Sequence, residues 1–146
     1  MESKELINYA CQARRFAYAP YSHFTVGAAL LAEDGRVFTG CNIENAAYGP
    51  SNCAERTAFF KAVSEGVRSF KAIAIVGDQE ENEPGAYCAP CGVCRQVMME
   101  FCDPDTFEII LGKKLYNYAA EYKVYTLKEL MPEGFGPENL KGDRYR

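Results

Sequence analysis

The chain has 146 residues, which suits one domain around a single hydrophobic core. Its net charge of -4 argues against nucleic-acid binding, because neutralising phosphates requires a basic face. No apolar run approaches the roughly 20 residues of a membrane helix, and the polar first residues do not resemble a signal peptide. Seven cysteines in such a chain indicate reduced thiols and metal binding. We expect a cytoplasmic protein with a single domain over residues 1–146.

The first half of the chain predicts two helices and a β-hairpin. Apolar residues recur at helical spacing near the N-terminus, and two apolar runs then flank Asp34-Gly35, a strong hairpin signal. Residues 44–52 contain turn-forming residues and predict a loop. The expected elements are a helix over 3–18, strands over 25–32 and 36–43, and a helix over 53–66.

The second half continues the alternation of strand and helix. The expected elements are strands over 70–76, 107–111 and 122–125, a helix over 91–101 and a helical turn over 126–130. This order predicts an α/β fold with a five-stranded mixed sheet and helices on both faces. The tail, residues 131–146, is rich in Gly and Pro and is expected on the surface or on another subunit.

Two short segments predict a metal site with its own proton-transfer group. Cys53-Ala54-Glu55 and Pro90-Cys91-Gly92-Val93-Cys94 each lie at the expected start of a helix. Helix N-termini favour thiolates, and ligands collect where such helices begin beside a sheet. Three thiolates leave zinc one coordination position for water, and a nearby carboxylate can move the proton of that water. This combination is typical of zinc-dependent nucleobase deaminases.

Other interpretations of these residues remain open at this point. Cys88 is evenly spaced with Cys91 and Cys94, so four cysteines with Cys53 could form a closed structural zinc site. Glu55 could simply interact favourably with the dipole of its helix. His23 is the only histidine, and we do not assign it to the metal.

Four segments of the chain resemble the small, homo-oligomeric class of the cytidine deaminase family. They are residues 21–29, 40–46, 53–56 and 90–96, and the resemblance runs from about Leu6 to Leu140. It implies a three-layer α/β/α sandwich, one Zn²⁺ per subunit and a homotetramer. The implied site residues are Cys53, Cys91 and Cys94 as zinc ligands, Glu55 as the proton shuttle, Asn42 and Glu44 at the ribose hydroxyls, Phe24 on the pyrimidine ring and the backbone of Ala54 at the base.

The tail carries a further part of the resemblance. Residues 131–137 are similar to a family segment that reaches the site of a neighbouring subunit, which would place Phe135 over the base. Gly134 stands where alanine is more usual in the family. Exposed aromatic side chains at Phe135 and Tyr145 would also favour association of subunits.

The residues themselves support a ribose site. Asn42 and Glu44 alternate past the end of a strand, so their side chains can point the same way. An amide and a carboxylate can bind a diol, with the carboxylate accepting two hydroxyl protons. The alternative is that both residues cap the loop that follows, as Asn often does.

A site of three thiolates and one Zn²⁺ has a net charge of -1, which disfavours ionisation of a bound water. A hydrogen bond from a cation to a sulfur would offset this charge. Arg56 and Arg95 each follow a site residue directly, and we expect Arg56 to make this bond. The alternative is that either arginine forms only a surface ion pair.

The expected reaction is hydrolytic deamination of cytidine and 2′-deoxycytidine, a step of pyrimidine salvage, with no nucleic-acid or membrane partner. One rival function is deamination of another aminated heterocycle, such as a free base. A second rival is a non-catalytic binding module stabilised by zinc. A polynucleotide editor fits poorly, because Lys113-Lys114 is the only adjacent lysine pair.

Overall fold

The computed structural model describes residues 1–114 and 120–141. Tyr145, with the rest of residues 142–146, lies outside this described part. Among the described helices, none has the length and apolar character needed to cross a membrane. The elements are α1 Ser3–Arg14, β1 Phe24–Ala32, β2 Val37–Cys41, α2 Ala54–Ser64, β3 Phe70–Gln79, α3 Gly92–Phe101, β4 Glu108–Lys114, β5 Ala120–Thr126, α4 Leu127–Leu130 and α5 Glu138–Lys141.

The five strands form one mixed sheet in the order β2-β1-β3-β4-β5. β3 and β4 are parallel and are joined by the crossover helix α3, whereas the other neighbouring pairs are antiparallel. The β1–β2 hairpin turns at Asp34 and Gly35, where Gly35 adopts a φ of 94° that favours glycine. The predicted hairpin and the predicted mixed sheet are therefore confirmed.

Helices cover both faces of the sheet. Because side chains alternate along a strand, Ala28 and Leu30 of β1 pack in the core beneath α2 and α3, whereas Ala29 and Leu31 pack in the core beneath α1. The strands β3 and β4 divide their side chains between the two cores in the same way. This confirms the helices expected on both faces of the sheet, and it is the three-layer α/β/α arrangement that the family resemblance implies.

Most element boundaries differ from the prediction by one to four residues, and for two of them tertiary pairing replaces local preference. Helix α1 ends at Arg14 rather than at residue 18, and Tyr18 instead forms an isolated bridge with Ile43. Strand β3 extends to Gln79 rather than ending at residue 76, since its last residues pair with the start of β1. In the predicted irregular tail, Glu138–Lys141 form the short helix α5.

Gly40 allows β2 to lie directly against the first turns of α2. A Cβ at this position would lie 2.4 Å from the carbonyl oxygen of Ala54 and 2.6 Å from the backbone nitrogen of Ala58. Both neighbours are backbone atoms, which cannot move aside as a flexible side chain can. The start of α2 is therefore fixed beside the end of β2, where Asn42 and Glu44 follow.

Candidate active site

The three predicted zinc ligands lie at the N-termini of two helices. Cys53 is the N-cap residue of α2, Cys91 is the N-cap residue of α3, and Cys94 lies in the first turn of α3. The Sγ atoms of Cys53 and Cys91 are 3.8 Å apart, and those of Cys91 and Cys94 are 3.5 Å apart. All three sulfur atoms lie within 4.8 Å of one another, although Cys53 and Cys91 are far apart in the sequence.

The donor set fits zinc. Three thiols at this separation can surround one ion, and thiolate sulfur is a preferred zinc ligand. Within the described residues, Cys88 is not part of this group. Its sulfur packs against Gly77 of β3, 3.0 Å from the position that a Cβ would take on that glycine. The geometry therefore favours a three-sulfur site over the four-cysteine alternative.

Glu55 is a buried carboxylic acid beside the sulfur atoms. It is the second residue of α2, and only 4% of its surface is exposed. The pKa of Glu55 is raised to about 7, mainly by burial, with a smaller contribution in the same direction from the negative charge of Cys53. A glutamate that only interacted with the helix dipole would gain nothing from losing its hydration, so its burial favours a functional role.

Arg56 contacts the sulfur cluster, as predicted. Its Nη2 donates a hydrogen bond to Cys53 Sγ at 3.4 Å. The pKa of the Cys53 thiol is lowered to about 5, first by a hydrogen bond from Cys94 and then by Arg56. Arg95 instead donates hydrogen bonds of 2.8 Å to the carbonyl oxygens of Pro90 and Leu130, so it connects the end of α4 to α3.

A cavity of about 350 Å³ opens beside this cluster. The volume is within the range of small-molecule sites. The predicted site residues among those that line it are Asn42, Glu44, Cys53, Ala54, Glu55, Arg56 and Cys91. The lining of the cavity thus combines a buried acid and clustered thiols with an amide and a second carboxylate.

The Asn42 and Glu44 side chains also bind the surrounding backbone. Asn42 Oδ1 accepts a hydrogen bond of 2.8 Å from the N–H of Val26, and Asn42 Nδ2 donates one of 2.8 Å to the carbonyl of Phe24. The Glu44 carboxylate accepts hydrogen bonds from Tyr21 and Ser22. Both side chains therefore stabilise the surrounding loop, as the capping alternative expects. Each also retains hydrogen-bonding positions that a substrate could use.

Two predicted substrate contacts lie apart from the cavity wall. Among the described residues that line the cavity, neither Phe24 nor Phe135 is present. Phe24 begins β1, two residues before Val26, which does line the cavity. The Phe135 side chain is 55% exposed, and the carbonyl of this residue accepts a hydrogen bond from Gln96.

Sequence reasoning assigned no part in substrate binding to several residues of this region. Ser22 contacts the Glu44 carboxylate, and Ser51, Asn52 and Cys88 line the cavity. Ser22 belongs to the segment 21–29 that carries the family resemblance, and this was the one signal available for it. His23, which we did not assign to the metal, lies 3.3 Å from Glu80 and outside the sulfur group.

Comparison with known proteins gives the same class as the geometry. The family model described as "Cytidine and deoxycytidylate deaminase zinc-binding region" matches residues 1–109. The chain belongs to this zinc-binding deaminase family.

Individual relatives match over nearly their whole length. The chain is 51% identical over 140 residues to a cytidine deaminase of Sporosarcina psychrophila, covering 96% of each chain. It is also 51% identical to a cytidine deaminase of Halalkalibacterium halodurans, covering 96% of this chain and 98% of the relative. A crystal structure of cytidine deaminase from Burkholderia pseudomallei superposes with a TM-score of 0.80 at 48% identity, covering 92% of this chain and 100% of that chain.

Proposed function

We propose that the protein catalyses the hydrolytic deamination of cytidine and 2′-deoxycytidine to uridine and 2′-deoxyuridine, with release of ammonia. The observation that carries this proposal is the buried Glu55 beside three clustered thiols at the edge of the cavity. The relatives named cytidine deaminase, at 51% identity over almost the full chain, support cytidine as the substrate.

Cys53, Cys91 and Cys94 would hold the zinc ion. When bound there, zinc supplies a Lewis acid that makes water nucleophilic at neutral pH. Glu55 accepts a proton from the attacking water and delivers it to N3 of the ring as oxygen bonds to C4. Glu55 then transfers the second proton of that oxygen to the amino group, and the C4–N bond breaks to release ammonia. A carboxyl group with a pKa near neutrality can both take and give a proton at this step.

The remaining residues position the nucleoside. Asn42 and Glu44 would bind the ribose hydroxyls, and the backbone of Ala54 would contact the base. Phe24 would pack on the pyrimidine ring. We place Phe135 over the base of a substrate bound to a neighbouring subunit, because Phe135 is exposed and lies apart from the cavity of its own chain.

This role of Phe135 is part of a proposed homotetramer of single-domain chains spanning residues 1–146. Large exposed aromatic side chains support association, since aromatic residues are enriched at contact surfaces between chains. They include Phe16, Tyr18, Tyr48 and Phe135. We propose a cytoplasmic enzyme of pyrimidine salvage, with a small nucleoside rather than nucleic acid or a membrane as its partner.

Turnover of cytidine by the purified protein tests the function. We expect about one zinc ion per chain, loss of cytidine absorbance with stoichiometric ammonia, and inhibition by a zinc chelator that added zinc reverses. Zinc binding without turnover would favour the non-catalytic module. A kcat/KM for free cytosine above that for cytidine would favour deamination of a base.

Replacement of Arg56 by Gln is expected to lower kcat/KM for cytidine by about 10- to 100-fold, the usual effect of losing a hydrogen bond to a metal ligand. The variant loses the positive charge that contacts Cys53 Sγ but retains a side chain able to donate. Steady-state kinetics and zinc content measure the effect. Arg36→Gln is the control, because Arg36 pairs with Asp34 on the exposed hairpin, and it should behave as wild type. An Arg56→Gln variant as active as Arg36→Gln would contradict the assigned role.

A further inference from the structure

The Glu44 carboxylate is held by three hydrogen bonds from the turn that precedes β1. Its Oε1 accepts the N–H of Tyr21 at 3.0 Å and the N–H of Ser22 at 3.1 Å. Its Oε2 accepts the hydroxyl of Ser22. The hydroxyl of Ser22 and these backbone bonds hold the pKa of Glu44 below its usual range, so the group is an ionised acceptor.

Counting lone pairs restricts what Glu44 can bind. Each carboxylate oxygen has about two acceptor positions, so two N–H donors fill those of Oε1. The Ser22 hydroxyl fills one position of Oε2 and leaves one. In this arrangement Glu44 has one acceptor position left for a substrate hydroxyl, at Oε2, against the two hydroxyls expected from the sequence.

The Ser22 hydroxyl also connects the carboxylate to the start of β1. Its oxygen accepts a hydrogen bond of 3.0 Å from the backbone N–H of Phe24. His23 lies between Ser22 and Phe24 and has a φ of 58°. This conformation turns the chain so that the N–H of Phe24 faces the hydroxyl of Ser22. The backbone of His23 is fixed at both ends, by Ala19 and by Glu80.

We propose that Ser22 is a positioning residue for substrate binding, which orients Glu44 so that the free position on Oε2 meets one ribose hydroxyl. The inference rests on the proposed function, in which Glu44 contacts ribose. The terminal torsion of a glutamate side chain is broad. A carboxylate that is held only at Oε1 can therefore change the direction of its Oε2 atom. Loss of the Ser22 hydroxyl would then weaken binding only of substrates that carry the recognised hydroxyl.

A cycle of two substrates and two proteins tests this inference. For Ser22→Ala we expect kcat/KM for cytidine to fall about tenfold, mainly through KM, as for a lost hydrogen bond to a charged group. The value for 2′,3′-dideoxycytidine, measured by ammonia release at high enzyme concentration, should stay within about twofold of wild type. Ser22→Thr should restore cytidine turnover, because it keeps the hydroxyl on an exposed residue.

Ser64→Ala is the matched control, since the Ser64 hydroxyl donates to the carbonyl of Lys61 at the end of α2. Equal losses on both substrates in Ser22→Ala would show a merely structural role and overturn the inference, as would no loss on either. If wild type uses both substrates equally well, Glu44 recognises no hydroxyl and the inference fails while the proposed function stands. If wild type does not deaminate cytidine at all, the proposed function itself fails.

Discussion

Replacing Glu55 with Gln is expected to lower kcat for cytidine by ~10²–10⁴-fold, the usual contribution of a positioned acid–base group. Glutamine has nearly the same shape, so it fills the same buried space, but its amide neither takes nor releases a proton near neutral pH. Because only 4% of Glu55 is exposed, bulk water cannot easily replace it. Stopped-flow or steady-state absorbance measurements on cytidine give the effect.

Two further measurements on Glu55→Gln separate lost chemistry from lost structure. Zinc content should match that of wild type, because the three sulfur atoms are untouched. The melting temperature should not fall, since burial disfavours the charged carboxylate and an uncharged amide avoids that cost. Glu65→Gln, one residue beyond α2 and exposed, is the control and should retain full activity. Normal turnover by Glu55→Gln would remove the proton shuttle from the mechanism.

The sulfur cluster was predictable because its signals are local. Cys53 and Glu55 are two residues apart, Cys91 and Cys94 are three apart, and each pair opens a helix. A helix that follows a strand returns across the sheet, so its N-terminus is placed by the fold class alone. Convergence of the two N-termini then follows from the sheet order, in which the strands that precede α2 and α3 lie on either side of β1.

The turn before β1 was not predictable in the same way. Local periodicity continues the first helix to residue 18, but the pairing of Tyr18 with Ile43 ends it early. That pairing joins the backbone of Tyr18 to the backbone of Asn42 and Glu44, 24 and 26 residues further along the chain, which no local pattern encodes. The contact between Ser22 and Glu44 depends on this pairing and on the positive φ of His23. Side-chain hydrogen bonds of this kind become visible only once the tertiary structure is known.

Phe135 is a predicted substrate contact that does not line the cavity of its own chain. The resemblance assigns it to a substrate site, yet the described chain holds it on its own surface through the backbone bond to Gln96. The proposed position of Phe135 in the site of another copy depends on contacts between chains, which no pattern within this sequence encodes. Glu55 and the clustered thiols lie within a single chain, so local spacing and the fold class together predict their arrangement.

Replacing Cys91 with Ala is expected to remove zinc and to lower kcat for cytidine by more than about 100-fold, beyond the usual effect of losing only a partner of a metal ligand. Cys91 is exposed, so its alanine variant gives up little packing and should fold. Zinc per chain after dialysis against a weak chelator, circular dichroism and cytidine turnover measure the outcome. Two remaining sulfur atoms bind zinc poorly, since stable protein sites use three or four ligands.

Cys88→Ala is the matched control, and it decides between the two zinc sites that the sequence allowed. Cys88 lies on the cavity wall but outside the group formed by Cys53, Cys91 and Cys94. We expect Cys88→Ala to keep its zinc and to retain most of its turnover. If it lost zinc as fully as Cys91→Ala, a closed four-cysteine site would hold the metal, no position would remain for water, and Glu55 would have no proton to move.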